Sequence, residues 1–122
     1  MNTSNAEAFI RFLDQRTGDV QEKIVQLNQD HRSDEANFEK IRANIFQVIK
    51  TVFLAYQKTP RTEPELQALM DAKLTMFQET WTGFLETARE HNDEKRVLQE
   101  QVKLEAMKEI RQKFDQLREV PV

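Results

Sequence analysis

Apolar side chains recur along this chain at steps of three and four, and strict alternation is nowhere sustained. Residues three and four apart share one face of an α-helix, so the pattern predicts amphipathic helices and no strands. Phe9, Ile10, Phe12 and Leu13 begin a first stripe that Val20, Ile24 and Leu27 continue. Ser4 and Glu7 stand ahead of it with the spacing of a capping box. Gly18 interrupts the stripe, and a glycine inside a helix costs about 1 kcal/mol, so a kink or a break is expected there. Phe38, Ile41, Ile45, Val48, Val52 and Ala55 form a second stripe, with Phe46, Ile49, Phe53 and Tyr56 beside it. Leu66, Met70, Leu74, Phe77, Trp81, Phe84 and Ala88 carry a third. Val97 or Leu98, then Val102, Ala106, Ile110, Phe114 and Leu117, carry a fourth.

Polar clusters separate the stripes. In residues 30–35, Ser33 is a good N-cap, and Asp34 and Glu35 suit the positive end of a helix. Residues 59–64 are the strongest loop signal: Thr62 or Glu63 can cap, with Pro64 at the first helical position. In residues 90–94, Asn92 suits a left-handed C-terminal position or the cap of the next helix. Pro121 closes the chain. Helices are therefore expected at about 5–31, 34–58, 64–91 and 93–119, each about 40 Å long at 1.5 Å per residue. Four matched helices with short connections predict an all-α fold, an antiparallel up-down four-helix bundle in a single domain 1–122. A rival architecture follows from the heptad phase, which runs unbroken through both polar clusters (24, 27, 31, 34, 38, 41 and 81, 84, 88, 91, 95, 98). Continuous helices there would make a long two-helix hairpin, turning at Pro60, that dimerises into a bundle. The capping residues in both clusters favour the single-chain bundle.

Composition narrows the function more than the fold. With 122 residues, two Gly and three Pro, the chain cannot supply the turns of an all-β fold. It has no cysteine, which excludes disulfides, thiol catalysis and thiolate metal sites. No apolar run approaches the length of a membrane span, and no membrane partner is expected. The net charge is −3, with 9 basic and 8 acidic residues over 1–61 and 9 basic and 13 acidic over 62–122. No basic block is present to neutralise phosphates, so nucleic acid is not an expected partner. The first residues lack a basic n-region and an apolar core, which points away from a secretory signal and toward a cytoplasmic protein.

The two histidines are the most specific chemical feature. His31 precedes Asp34 by three residues, and His91 precedes Glu94 by three. On continuous helices turning near Arg61 the two pairs would share a level, and imidazole with carboxylate suits Zn, Fe or Mn. His31, Asp34, His91 and Glu94 are thus the metal candidates, although the order reverses the Glu-x-x-His of di-iron bundles. Solvated helix ends explain the same residues without a metal, and no cofactor is expected. The two serines, Ser4 and Ser33, sit at helix caps, phosphate loops are absent, and pairs such as Glu35–Glu39–Lys40 and Glu109–Lys113 read as surface decoration. No enzyme is expected.

Trp81-Thr82-Gly83 resembles the Trp-x-Gly signature of the small helical proteins exported by type VII secretion, a family near this chain in size. The family places that motif in the turn of a helical hairpin, whereas the turn signal here is at residues 60–64. No Tyr-x-x-x-acid signal follows at the C-terminus.

What remains is a helical module that acts on a protein partner or on a second copy of itself as a homodimer. The second helix has a wider apolar face than a two-helix seam needs. Phe46, Ile49, Phe53 and Tyr56, with Met76 and Leu85 nearby, are therefore the expected partner contacts.

Overall fold

The computed structural model describes residues 3–118. Four helices run up and down: α1 (Thr3–Gln29), α2 (Ser33–Lys58), α3 (Glu63–Glu90) and α4 (Glu94–Leu117). No strand occurs among the described residues. The fold is an all-α four-helix bundle.

Two three-residue turns, at 30–32 and 91–93, reverse the chain at one end of the bundle, the tip. They have the same construction. At the end of α1, Arg32 N–H donates to Leu27 O (2.8 Å) and His31 N–H to Asn28 O (3.2 Å), with His31 left-handed at φ 58°. At the end of α3, Asp93 N–H donates to Ala88 O (3.0 Å) and Asn92 N–H to Arg89 O (3.1 Å), with Asn92 at φ 54°. Both are Schellman motifs, in which one left-handed residue lets the chain turn back and satisfy the last carbonyls. These turns exclude the long two-helix hairpin. Unbroken heptad phase did not signal continuous helix; the capping chemistry decided.

Local rules explain most boundaries. Thr62 Oγ1 accepts from Glu65 N–H (3.3 Å) and opens α3, with Pro64 in the first turn. Asp93 accepts from Arg96 N–H (3.1 Å) and opens α4, leaving Asn92 to the turn. Two expected caps are corrected. Ser4 lies inside α1, which already begins at Thr3, and Ser33 is the first helical residue of α2 with Arg32 before it and no side-chain cap bond. Gly18 does not break α1, because the tertiary contacts on either side hold the helix through it. The last helix ends at Leu117, and Pro121 lies outside the described residues.

The packing is not square. α1 lies along α2 and also against α4, α3 lies along α4, and α2 and α4 form the short diagonal. α3 meets α2 only sparingly, and among the described residues its backbone stays apart from that of α1. The dense core occupies the end opposite the tip, here called the base. Phe9 stands edge-on to Phe53 (5.1 Å) and to Phe114 (5.7 Å), and Phe12 edge-on to Phe46 (6.2 Å). Leu13, Ile49, Met70, Leu74, Met107 and Ile110 fill the space around the Phe9 rings and are fully buried. Phe77 and Trp81 stack at 4.9 Å on the flank of this core. Ion pairs cross between helices at its surface: Lys50 to Asp14 (2.6 Å), Arg16 to Glu109 (3.1 Å), and Arg111 and Arg118 to Asp71.

The width of the α2 face has an internal explanation. Phe46, Ile49 and Phe53 are fully buried within this chain, and Tyr56 is half-buried under the Arg61 guanidinium. A helix on the short diagonal faces neighbours on more than one side, so its second stripe is covered internally from Phe46 to Phe53, while the first stays partly open at Phe38 and Ile41. Phe46, Ile49 and Phe53 offer no surface to a partner, and Tyr56 offers only part of its ring. Of their expected neighbours, Leu85 is buried and Met76 exposed.

Candidate functional site

The two helical hairpins part toward the tip. Leu27 and Ala36 are buried near the α1–α2 turn, and Leu85 and Ala88 near the α3–α4 turn, yet none of the four joins the main core. Between the hairpins a cleft of about 620 Å³ opens at the N-terminal ends of α2 and α4. Its apolar lining is Phe38, Ile41 and Leu98, and Leu98 is 48% exposed. Around these stand Asp34, Asn37, Glu94, Lys95 and Gln99. Among the described residues none of these five polar side chains has a hydrogen bond or an ion pair within the chain. A second hollow, about 270 Å³, continues past Phe38 and Leu98 to Leu27 and Val102.

A charged network marks the inner limit of this region. Glu39 is nearly buried and accepts from Lys23 Nζ (3.3 Å) and Arg42 Nε (3.1 Å), while Arg42 also donates to Glu105 on α4 (2.8 Å). Burial opposes the charge of Arg42. The Glu105 hydrogen bond and the charges of Glu39 and Glu105 outweigh it, so its pKa lies above the ordinary arginine value. Glu39 is therefore not surface decoration paired with Lys40. The Glu109 carboxylate likewise goes to Arg16, while the Lys113 ammonium lies over the Phe12 ring. Both corrections have one cause: partners on a neighbouring helix compete with partners along the same helix.

The metal candidates are divided by this geometry. Asp34 and Glu94 both line the cleft, but His31 and His91 do not. His31 holds the left-handed position that ends α1, a role for which histidine is a tolerated residue. His91 follows the last residue of α3, and its ring Nδ1–H donates to Thr87 O (2.8 Å), a carbonyl near the helix end. Each histidine thus serves its own helix terminus, His31 through its backbone and His91 through its ring. Among the described residues no three His, Asp or Glu side chains are grouped to hold a metal ion. Trp81-Thr82-Gly83 lies within the body of α3, away from either turn, unlike the motif it resembles.

Sequence reasoning missed the cleft and the buried acids Glu39 and Glu100. A signal existed for Glu100, which stands seven and fourteen residues before the core residues Met107 and Phe114 and so shares their face. No signal in the sequence announces that two hairpins diverge. Comparison with protein-family models, with curated proteins and with solved structures gives no match for this chain. No helix among the described residues is long and apolar enough to cross a membrane.

Proposed function

We propose that this chain is a non-catalytic interaction module that binds one amphipathic helix of another protein in the tip cleft. The observation that carries the reading is an apolar floor ringed by polar side chains with no partner of their own. At the base, by contrast, Arg16, Lys50 and Arg111 are paired with carboxylates across helices. Two diverging helices form a groove into which a third packs by its apolar ridge, the arrangement of helix-in-groove recognition. Phe38, Ile41 and Leu98 would receive that ridge. The rim carries two unpaired carboxylates, Asp34 and Glu94, against one ammonium, Lys95, so the complementary helix has basic residues at its flank.

Calorimetric titration with two designed peptides tests this. Both have a Leu and Ala face over about five turns; one is flanked by Lys and the other by Glu. The Lys-flanked peptide is expected to bind, Leu98→Asp to abolish binding, and Asp34→Asn with Glu94→Gln to weaken it about tenfold. Equal binding of the two peptides, or binding indifferent to Leu98→Asp, overturns the reading. So does a dimer in sedimentation that Leu98→Asp dissociates, since a second copy would then occupy the cleft.

A further inference from the structure

Glu100 is the one fully buried charged residue among those described, and no helix but its own answers its charge. Its Oε1 accepts from Arg96 Nε (3.0 Å) and Lys103 Nζ (3.1 Å), both on α4 itself. Its Oε2 is buried without a hydrogen-bond partner among the described residues. Helical geometry gives the direction it faces. Arg111 and Arg118 follow Glu100 by eleven and eighteen residues, close to three and five full turns, and both reach Asp71 on α3. Glu100 therefore lies on the α3 side of α4. Because the helices are antiparallel and Arg111 meets Asp71, Glu100 stands at the level of Thr82, which is itself exposed, between the half-buried Trp81 and the buried Leu85.

This splits α3 into unlike halves. Its base half contributes Met70 and Leu74 to the core and is clamped to α4 by Asp71. Its tip half removes water from a carboxylate and offers no donor in return, a desolvation cost with no compensating bond across the interface. The local sequence is weak as well. Thr80, Thr82, Gly83 and Thr87 are poor helix formers, and the hydroxyls of Thr82 and Thr87 bond back to Gln78 O and Gly83 O. Packing does not require the glycine, since a Cβ at Gly83 would meet nothing within 4 Å among the described residues.

We infer that residues 82–90 of α3, beyond the Trp81 that packs on the base core, form a releasable segment, which lifts from α4 while the rest of the bundle stays folded, and that Glu100 sets the ease of release. The ion pairs of Glu100 survive the event because they lie within α4. Opening returns water to the carboxylate and uncovers Leu85, Ala88 and the α4 face beneath them. This inference does not depend on the tip cleft, which residues 82–90 do not line.

The chain has no cysteine, so one introduced thiol reports opening without interference. Native-state thiol labelling would compare Ala88→Cys, in the tip half of α3, with Leu74→Cys in its base half, both positions being buried. The Ala88→Cys thiol is expected to react at least tenfold faster. Adding Glu100→Met should slow it about tenfold and leave the Leu74→Cys thiol within twofold. Adding Gly83→Ala, which needs no repacking, should slow it roughly fivefold, the factor for a glycine inside a helix. Equal labelling at the two positions overturns the inference. So does a folded Glu100→Met protein with an unchanged Ala88→Cys rate, or, if that variant does not fold, an unchanged rate in Gly83→Ala.

Discussion

The base and the tip of this bundle are made of the same four helices and are held by different forces. At the base, aromatic edges meet over a dry core drawn from all four helices, and ion pairs lie outside it. At the tip, each hairpin is closed on itself by small apolar contacts, and the space between hairpins holds charge. Glu39, Arg42 and Glu105 bridge it on one side of α4, and Glu100 is enclosed on the other. Cohesion is concentrated where apolar area is buried between hairpins, and an open cleft remains where it is not. An interaction module is served by this division, because a rigid base can hold an open tip in place without filling it.

Paired truncations put the largest strain on that contrast. Phe53→Ala at the base is expected to cost about 3–5 kcal/mol, the range for a fully buried phenylalanine. Phe38→Ala, half-buried at the cleft, is expected to cost less than about 1.5 kcal/mol. Urea denaturation of both variants measures the difference, and equal losses would mean that the tip is packed as a core.

Acid should loosen the α3–α4 clamp at the base. The hydrogen bond from Arg111 to Asp71 is the main cause holding that carboxyl below its ordinary pKa; burial opposes it, and the charges of Arg111 and Arg118 add to it. A carboxyl with a depressed folded pKa contributes stability above its unfolded value, near 3.9, and that contribution is lost as pH falls through the folded value. Asp71 is more than a third exposed, so solvent screening keeps the contribution under about 1 kcal/mol. Asp71→Asn should therefore lower stability at pH 7 and flatten its fall between about pH 5 and pH 2. Denaturation midpoints across that range, in parent and variant, provide the check.

The smallest effect sharpens the comparison of the twin turns at the tip. His31 and Asn92 both hold left-handed positions, which glycine fills without steric cost and asparagine fills more easily than most residues. His31→Gly is expected to stabilise by about 0.5–1 kcal/mol and Asn92→Gly by less. Thermal melts of the two variants measure this. A loss of stability in His31→Gly would show that the imidazole holds more than the turn.

The helices were legible because their causes are local, while the unbroken heptad phase left their number open between four and two. The stripe from Phe38 to Val52, the Thr62–Pro64 start of α3 and the Asn92 turn each depend on residues a few positions apart. The candidate site was less legible. Asp34 and Glu94 were singled out for metal chemistry and lie together at the cleft, while the histidines proved to be helix ends. Glu39 read as surface because its neighbours in sequence are polar; its partner Lys23 lies sixteen residues away on another helix.

Sequence alone determined that this chain is made of amphipathic helices with a turn at residues 59–64, since periodicity and capping act over single turns, and it left residues 30–35 and 90–94 open between turn and continuous helix. Tertiary structure decided which faces are spent inside. It placed α2 and α4 on the short diagonal, so that Phe46, Ile49 and Phe53 became core, and it left Phe38, Ile41 and Leu98 between diverging hairpins. No local rule reaches that outcome, because the angle between hairpins is set by how side chains from four separate segments fill a common volume.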